Sequence, residues 1–120
     1  MNPITEFHRI NEFDTEIVKY NPKVKNIIVA LHGFGGSAGT FRNFGKILPE
    51  THSLWSVSLP WHGNTKQLHK DSLLDGQTFA NDLADFIRKE ANNKITLLAH
   101  SFGARIAAIL AVNHPNLIKK

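Results

Sequence analysis

The sequence predicts an α/β protein, a mostly parallel sheet with flanking helices preceded by an N-terminal antiparallel hairpin. Three observations carry that expectation. First, "NIIVAL" (residues 26–31), "HSLWSVSLP" (52–60) and "KITLLA" (94–99) are short apolar runs of the kind that form strands buried on both faces. Second, helical-period segments separate and follow them, and strands alternating with helices form a parallel sheet with right-handed crossovers. Third, "EFHRI" and "EFDTEIVKY" alternate apolar and polar residues around Asn11 and Glu12, as a hairpin does. The chain therefore divides into a hairpin over residues 1–25 and a βαβαβα core over residues 26–120, within one domain.

Each further element has a local cause. Pro22 marks the turn in "NPKVKN" that separates hairpin from core. After the glycine-rich "HGFGGSAG", Phe41, Phe44, Ile47 and Leu48 fall at helical spacing and Pro49 closes the element. "WHGNTKQLHKDSLLDG" is a long polar connection, the kind of segment that carries function rather than core. From Gln77 to Ala91, Phe79, Leu83, Phe86 and Ile87 repeat along one face, with Asp75 placed to cap the helix. "GARIAAILAVN" is a last helix, stopped near Pro115, and "NHPNLIKK" reads as the lead-in to another strand.

Composition excludes several functions. With 42% hydrophobic and 20% charged residues the chain is an ordinary globular one. It has no apolar run near the ~20 residues that a membrane-spanning helix needs, and its first residues lack the apolar segment of a secretory signal. The absence of cysteine removes disulfides and thiol catalysis and fits a reducing, cytoplasmic location. The net charge of +4 comes from scattered residues, only Lys119 and Lys120 being adjacent, so no nucleic-acid partner is expected.

The chemistry concentrates at two strand ends. Ala99-His100-Ser101-Phe102-Gly103 lies where a buried strand turns into a helix. A serine there is either a helix N-cap or a nucleophile exposed on a tight, strained turn, which requires small residues two places before and two after it. Ala99 and Gly103 are both small. Seventy residues earlier, His32-Gly33-Phe34-Gly35-Gly36-Ser37 follows the first buried strand. Acyl transfer needs two backbone N–H groups aimed at a developing oxyanion; the residue after the serine, Phe102, supplies one and the residue after His32-Gly33, Phe34, the other. The same glycine loop satisfies the G-x-G-x-x-A dinucleotide fingerprint, but that reading wants an acid at the end of the next strand, where Ser58 stands. No Gly-Lys-Ser/Thr follows to make a phosphate-binding loop.

"LHGFGGSAGTF", "SLPWHGNT" and "LLAHSFGARIAAILAVNHP" together resemble the N-terminal half of an α/β-hydrolase-fold protein, in the branch of single-domain esterases, lipases and C–C hydrolases. The middle segment departs from that family's D-x-P-G-x-G-x-S: Ser58 replaces the acid, Trp61 a glycine and Thr65 the serine, while Pro60, His62 and Gly63 match. The resemblance implies Ser101 as nucleophile, Phe34 and Phe102 as oxyanion donors, and a small-molecule ester or acyl substrate, with no metal or organic cofactor. It gives His32 and His100 the role of bracing the loop and the turn beside Gly33 and Gly103. Trp61 and His62 are candidates to line a pocket, although His62, like His69 and His114, is also explained as a solvated loop histidine. Arg105 is expected to be a surface charge.

The family takes its triad in the order Ser, acid, His. No acid follows Ser101, and the later histidine, His114, sits on the helix that carries the serine. The expectation is thus a truncated α/β-hydrolase fold, incomplete and inactive alone, with an exposed apolar edge at residues 94–99. Its partner would be a separate C-terminal half or another copy of itself. The competing expectation is a non-catalytic binding module on the same fold.

Overall fold

A computed structural model describes residues 3–69 and 75–120. The hairpin comes first: β1 (Ile4–Ile10) and β2 (Phe13–Tyr20) pair antiparallel with Ile10 opposite Phe13. Asn11 turns the chain between them at φ 58°, a left-handed conformation that asparagine tolerates better than most residues. The core then runs β3 (Ile27–Leu31), a 3₁₀ turn (Ala38–Phe41), α1 (Arg42–Lys46), β4 (Ser53–Val57), the two-residue β5 (Lys66–Gln67), α2 (Gly76–Ala91), β6 (Thr96–Ala99), α3 (Phe102–Asn113) and a final 3₁₀ turn (Pro115–Leu117). The polar connection read between residues 61 and 76 falls partly outside the described residues, at 70–74.

The strands make one mixed sheet in the order β1-β2-β4-β3-β6, with β5 paired to β2. β3 lies between β4 and β6, parallel to both, and β2 is antiparallel to β4. This order explains the sequence pattern. β4 is buried at every residue and β3 at all but Ile28, because both are internal strands, covered on two faces. On one face α2 and α3 lay Phe79, Leu83, Ile87, Ile106 and Leu110 against Phe13, Ile17, Val29, Leu31, Trp55 and Val57. On the other, Tyr20, Ala30 and Leu54 form a smaller cluster with Val18, Ile28, Phe41, Leu48 and Leu98.

α2 follows its sequence signals. The Asp75 carboxylate accepts from the Gln77 N–H at 3.0 Å, and Asn92 ends the helix at φ 50°. The segment around Phe41–Leu48 is shorter than its apolar spacing predicts. Ser37 and Thr40 form a reciprocal capping box over one 3₁₀ turn, α1 follows for only five residues, and Ile47 remains 78% exposed. Gly39 and Gly45 weaken helix there. Gly45 also rests on the Tyr20 ring, where a Cβ would come within 2.6 Å of ring carbon.

The segment after α3 does approach a neighbouring strand. Ile118 bridges Ile95 in parallel, the Lys119 N–H donates to the Ile95 carbonyl at 2.6 Å, and Leu97 donates to Lys120 at 2.8 Å. The apolar edge expected at residues 94–99 is therefore paired over its first half, while all four residues of β6 stay half-buried.

Candidate active site

The site lies at the C-terminal ends of β3 and β6, where parallel strands release their loops on the same side. Ser101 joins β6 to α3 with φ 54° and ψ −116°. For a residue bearing a Cβ this is a sparsely populated region, with a cost on the order of 1–3 kcal/mol. Its hydroxyl makes no capping bond to α3, and the residue is exposed. An ordinary N-cap has extended backbone and an engaged oxygen; Ser101 has neither.

The glycines explain how the two segments approach. A Cβ on Gly103 would be driven into the carbonyl oxygen of Leu31 and to 2.6 Å from that of His32. Only a glycine lets the first turn of α3 lie on the end of β3. A Cβ on Gly33 would lie 2.7 Å from His100 Nδ1 and 3.2 Å from the Ser101 Cβ, so the loop after β3 passes directly beside the serine. The His100 N–H donates to the Leu31 carbonyl at 3.1 Å and ties the same two strand ends together. The His100 side chain is exposed and has no hydrogen-bond partner among the described residues.

Two backbone donors stand unengaged beside this turn. The Phe102 N–H begins α3, where no intrahelical acceptor exists, and the Phe34 N–H lies in the loop. Neither finds an acceptor among the described residues, while their neighbours Gly36, Gly103 and Ala104 all donate to backbone carbonyls. The helix N-terminus adds its partial positive charge at the same place.

His32 is fully buried with both nitrogens occupied. Nε2 accepts from the Leu59 N–H at 2.9 Å, so Nδ1 carries the proton and donates to the Gly33 carbonyl at 2.7 Å. Burial pushes its pKa below the usual 6.5; the Gly33 carbonyl acts in the opposite direction, and the nearby His62 adds to the depression. A neutral imidazole with both nitrogens bonded is a brace and has no free lone pair for proton transfer.

His62 is not the solvated loop residue that its neighbourhood in sequence suggests. Its Nε2 accepts from the Gly35 N–H at 2.9 Å and its Nδ1 donates to the Pro60 carbonyl at 2.9 Å. Its ring stands 4.9 Å from His32, edge-on to Phe34 at 5.6 Å, and stacked with Phe102 at 6.3 Å. It thus touches both segments that carry the candidate oxyanion donors. Trp61, at φ 63°, turns the other way: its ring packs edge-on to Phe13 and its Nε1 donates to Gln67 at 3.0 Å. His114 likewise departs from the solvated reading, its Nδ1 bonded to Arg88 and its Nε2 to Asn81 of α2. His69 pairs with Glu12 at 3.4 Å and Arg105 is exposed.

Sequence reasoning missed one residue here. Glu16, near the middle of β2, is 8% exposed and takes hydrogen bonds from the Ser58 hydroxyl at 2.8 Å, the Asn64 N–H at 3.0 Å and the Asn64 side chain at 2.8 Å. Burial acts to raise its pKa, but the bonds from Asn64 and Ser58 outweigh that and hold it below 4.5. The available signal was Ser58, a serine where the resembled motif has an acid. Among the described residues no cluster of three His, Asp or Glu could hold a metal, and no helix is long and apolar enough to cross a membrane. A groove of about 770 Å³ opens elsewhere, along the segments leading into β3 and β4, and includes none of these residues.

Residues 26–120 match the alpha/beta hydrolase fold family. The chain belongs to that family. Among curated proteins it is 34% identical over 94 residues to "Ethanol acetyltransferase 1" of Wickerhamomyces ciferrii, covering 77% of this chain and 23% of that one. It is 29% identical over 111 residues to "Putative esterase/lipase 2" of Mycoplasma genitalium, covering 91% of this chain and 41% of that one. The solved thioesterase domain from the curacin biosynthetic pathway superposes with a TM-score of 0.84 at 19% identity, over 99% of this chain and 44% of that domain. This alpha/beta hydrolase chain therefore spans less than half the length of these relatives. Its mixed sheet with flanking helices corresponds to the matched part of their fold.

Proposed function

We propose that the chain carries the nucleophile and oxyanion-binding part of a serine hydrolase acting on carboxylic esters or related acyl or C–C substrates. Ser101 Oγ attacks the substrate carbonyl. The N–H groups of Phe34 and Phe102 stabilise the oxyanion that forms. The observation that carries this reading is the backbone of Ser101: an exposed, uncapped serine held at φ 54° beside two N–H groups that find no acceptor among the described residues. The names of the relatives, an acetyltransferase and an esterase/lipase, both describe acyl chemistry. No cofactor is required, and the cysteine-free composition suits a cytoplasmic setting.

Among the described residues His32 and His114 have both ring nitrogens bonded, so neither is free to act as the general base.

Chemical rescue tests it. The chain is mixed with a p-nitrophenyl ester, with and without free imidazole as a substitute base, beside Ser101→Ala. Without imidazole, cleavage stays at or below the residual ~10³–10⁴-fold over water that remains when triad members are removed. With imidazole, the protein that keeps Ser101 accelerates more than Ser101→Ala does. Equal acceleration in both would refute a nucleophilic Ser101.

A further inference from the structure

We propose that Glu16 is a positioning residue for the oxyanion loop, a carboxylate delivered from β2 to the place that the resembled motif fills from the end of β4. The inference rests on the role proposed for the Phe34 N–H and goes beyond it by naming what holds that loop in place.

Hydrogen positions fix the direction of each bond. An ionised carboxylate only accepts. The Ser58 hydroxyl hydrogen must therefore point to Glu16 Oε1, which leaves a Ser58 lone pair for the Ala38 N–H at 2.8 Å. Ala38 opens the 3₁₀ turn directly after the glycine loop, so Glu16 fixes the far end of that loop through one intervening hydroxyl.

The near side is fixed by a second route. Glu16 accepts both the backbone and side-chain N–H groups of Asn64. Gly63, at φ 54°, lies against the same carboxylate, where a Cβ would come within 2.9 Å of Oε1 and overlap the Ser58 hydroxyl. The turn from Leu59 to Thr65 is closed by His62 N–H to Leu59 and Thr65 N–H to His62 bonds. Seated on Glu16, this turn aims His62 Nε2 at the Gly35 N–H. Thr65 completes the seat, donating to the Ser58 carbonyl at 2.6 Å and accepting from the Glu16 N–H at 2.9 Å. One carboxylate thus holds the segment that follows Phe34 at two points, Gly35 and Ala38. Its charge makes these bonds stronger than neutral ones, and its burial within the sheet limits competition from water.

A carboxylate exchange tests the proposal without relying on catalysis, so its failure is separable from failure of the hydrolase reading. Amide hydrogen exchange is followed by NMR in the parent chain, in Glu16→Gln, in Ser58→Asp and in the double variant. Glu16→Gln keeps one acceptor oxygen but turns the other into an N–H donor and removes the charge, so it cannot accept all three bonds from Ser58 and Asn64 at their present strength. Gly35 and Ala38 should then exchange about tenfold faster or more, relative to the core amides of Val29 and Leu83. Ser58→Asp alone sets two carboxylates against each other and should loosen the same two amides. The double variant restores a single carboxylate, now at the end of β4, and should bring both back toward the original rates. The proposal is overturned if Gly35 and Ala38 keep their rates in Glu16→Gln, if all amides speed up alike, or if the double variant exchanges no more slowly than Glu16→Gln.

Discussion

The backbone of Gly103 lies against the carbonyl of Leu31, so close that no Cβ fits between them. This contact seats the first turn of α3 on the end of β3 and sets where Ser101 stands relative to the glycine loop. Gly103→Ala should therefore cost about 3 kcal/mol or more, because two backbone segments must separate. Gly33→Ala should cost clearly less, since the Cβ there meets the exposed His100 ring, which can swing away. Urea unfolding of the two variants measures the order. A Gly103→Ala protein as stable as the parent would mean that the helix does not seat on β3 in this way.

Ser101 offers a test of strain that is independent of chemistry. At φ 54° and ψ −116° a glycine is at ease and a side chain is not. Ser101→Gly should be more stable than Ser101→Ala by about 1 kcal/mol or more, despite the greater freedom of glycine in the unfolded chain. If alanine proves the more stable of the two, the backbone at 101 is not strained.

His32 makes stability depend on pH. Its folded pKa lies below the usual 6.5, so between those two values the unfolded state binds more protons. The contribution is complete above about 6.5 and is lost as pH falls through the folded value. Glu16, also depressed, adds a second loss below about 4.5. His32→Gln should remove the upper part of this dependence and lower stability by about 2 kcal/mol at about pH 8, because the Leu59 N–H or the Gly33 carbonyl loses its partner. Melting curves from about pH 8 to about pH 4 report both effects. An unchanged slope just below pH 6.5 in His32→Gln would remove His32 as its source.

Some of the fold and site was legible because its causes are local. The three apolar strands, the Asp75 cap and the α2 face follow from residue types within a few positions of each other. So does the small-residue frame around Ser101, since the steric demand of a strand-to-helix turn acts within two residues on each side. Phe41–Leu48 misled because apolar spacing is only one local term, and two glycines with a capping box opposed it. The hairpin was legible, but not that β2 would be covered on both sides by pairing with β4. That placement buries Thr15 and Lys19 on the face of Phe13 and Ile17 and Glu16 on the other, polar residues whose type alone favours solvent.

By itself the sequence determined the α/β class and the two strand-end motifs. The tertiary structure decided which histidines are spoken for. On paper His32 reads as a brace and His62 as a pocket or solvated loop residue, and nothing local says what either one bonds. Only the folded arrangement sets Leu59 against one, Gly35 against the other, and so occupies their lone pairs. The tertiary structure alone also brought Glu16 to Ser58 across 42 positions of chain. The physical reason is the same in each case: a hydrogen bond or a buried charge depends on which atoms meet across the sheet. Strand order sets those meetings, and no local stretch of residues encodes it.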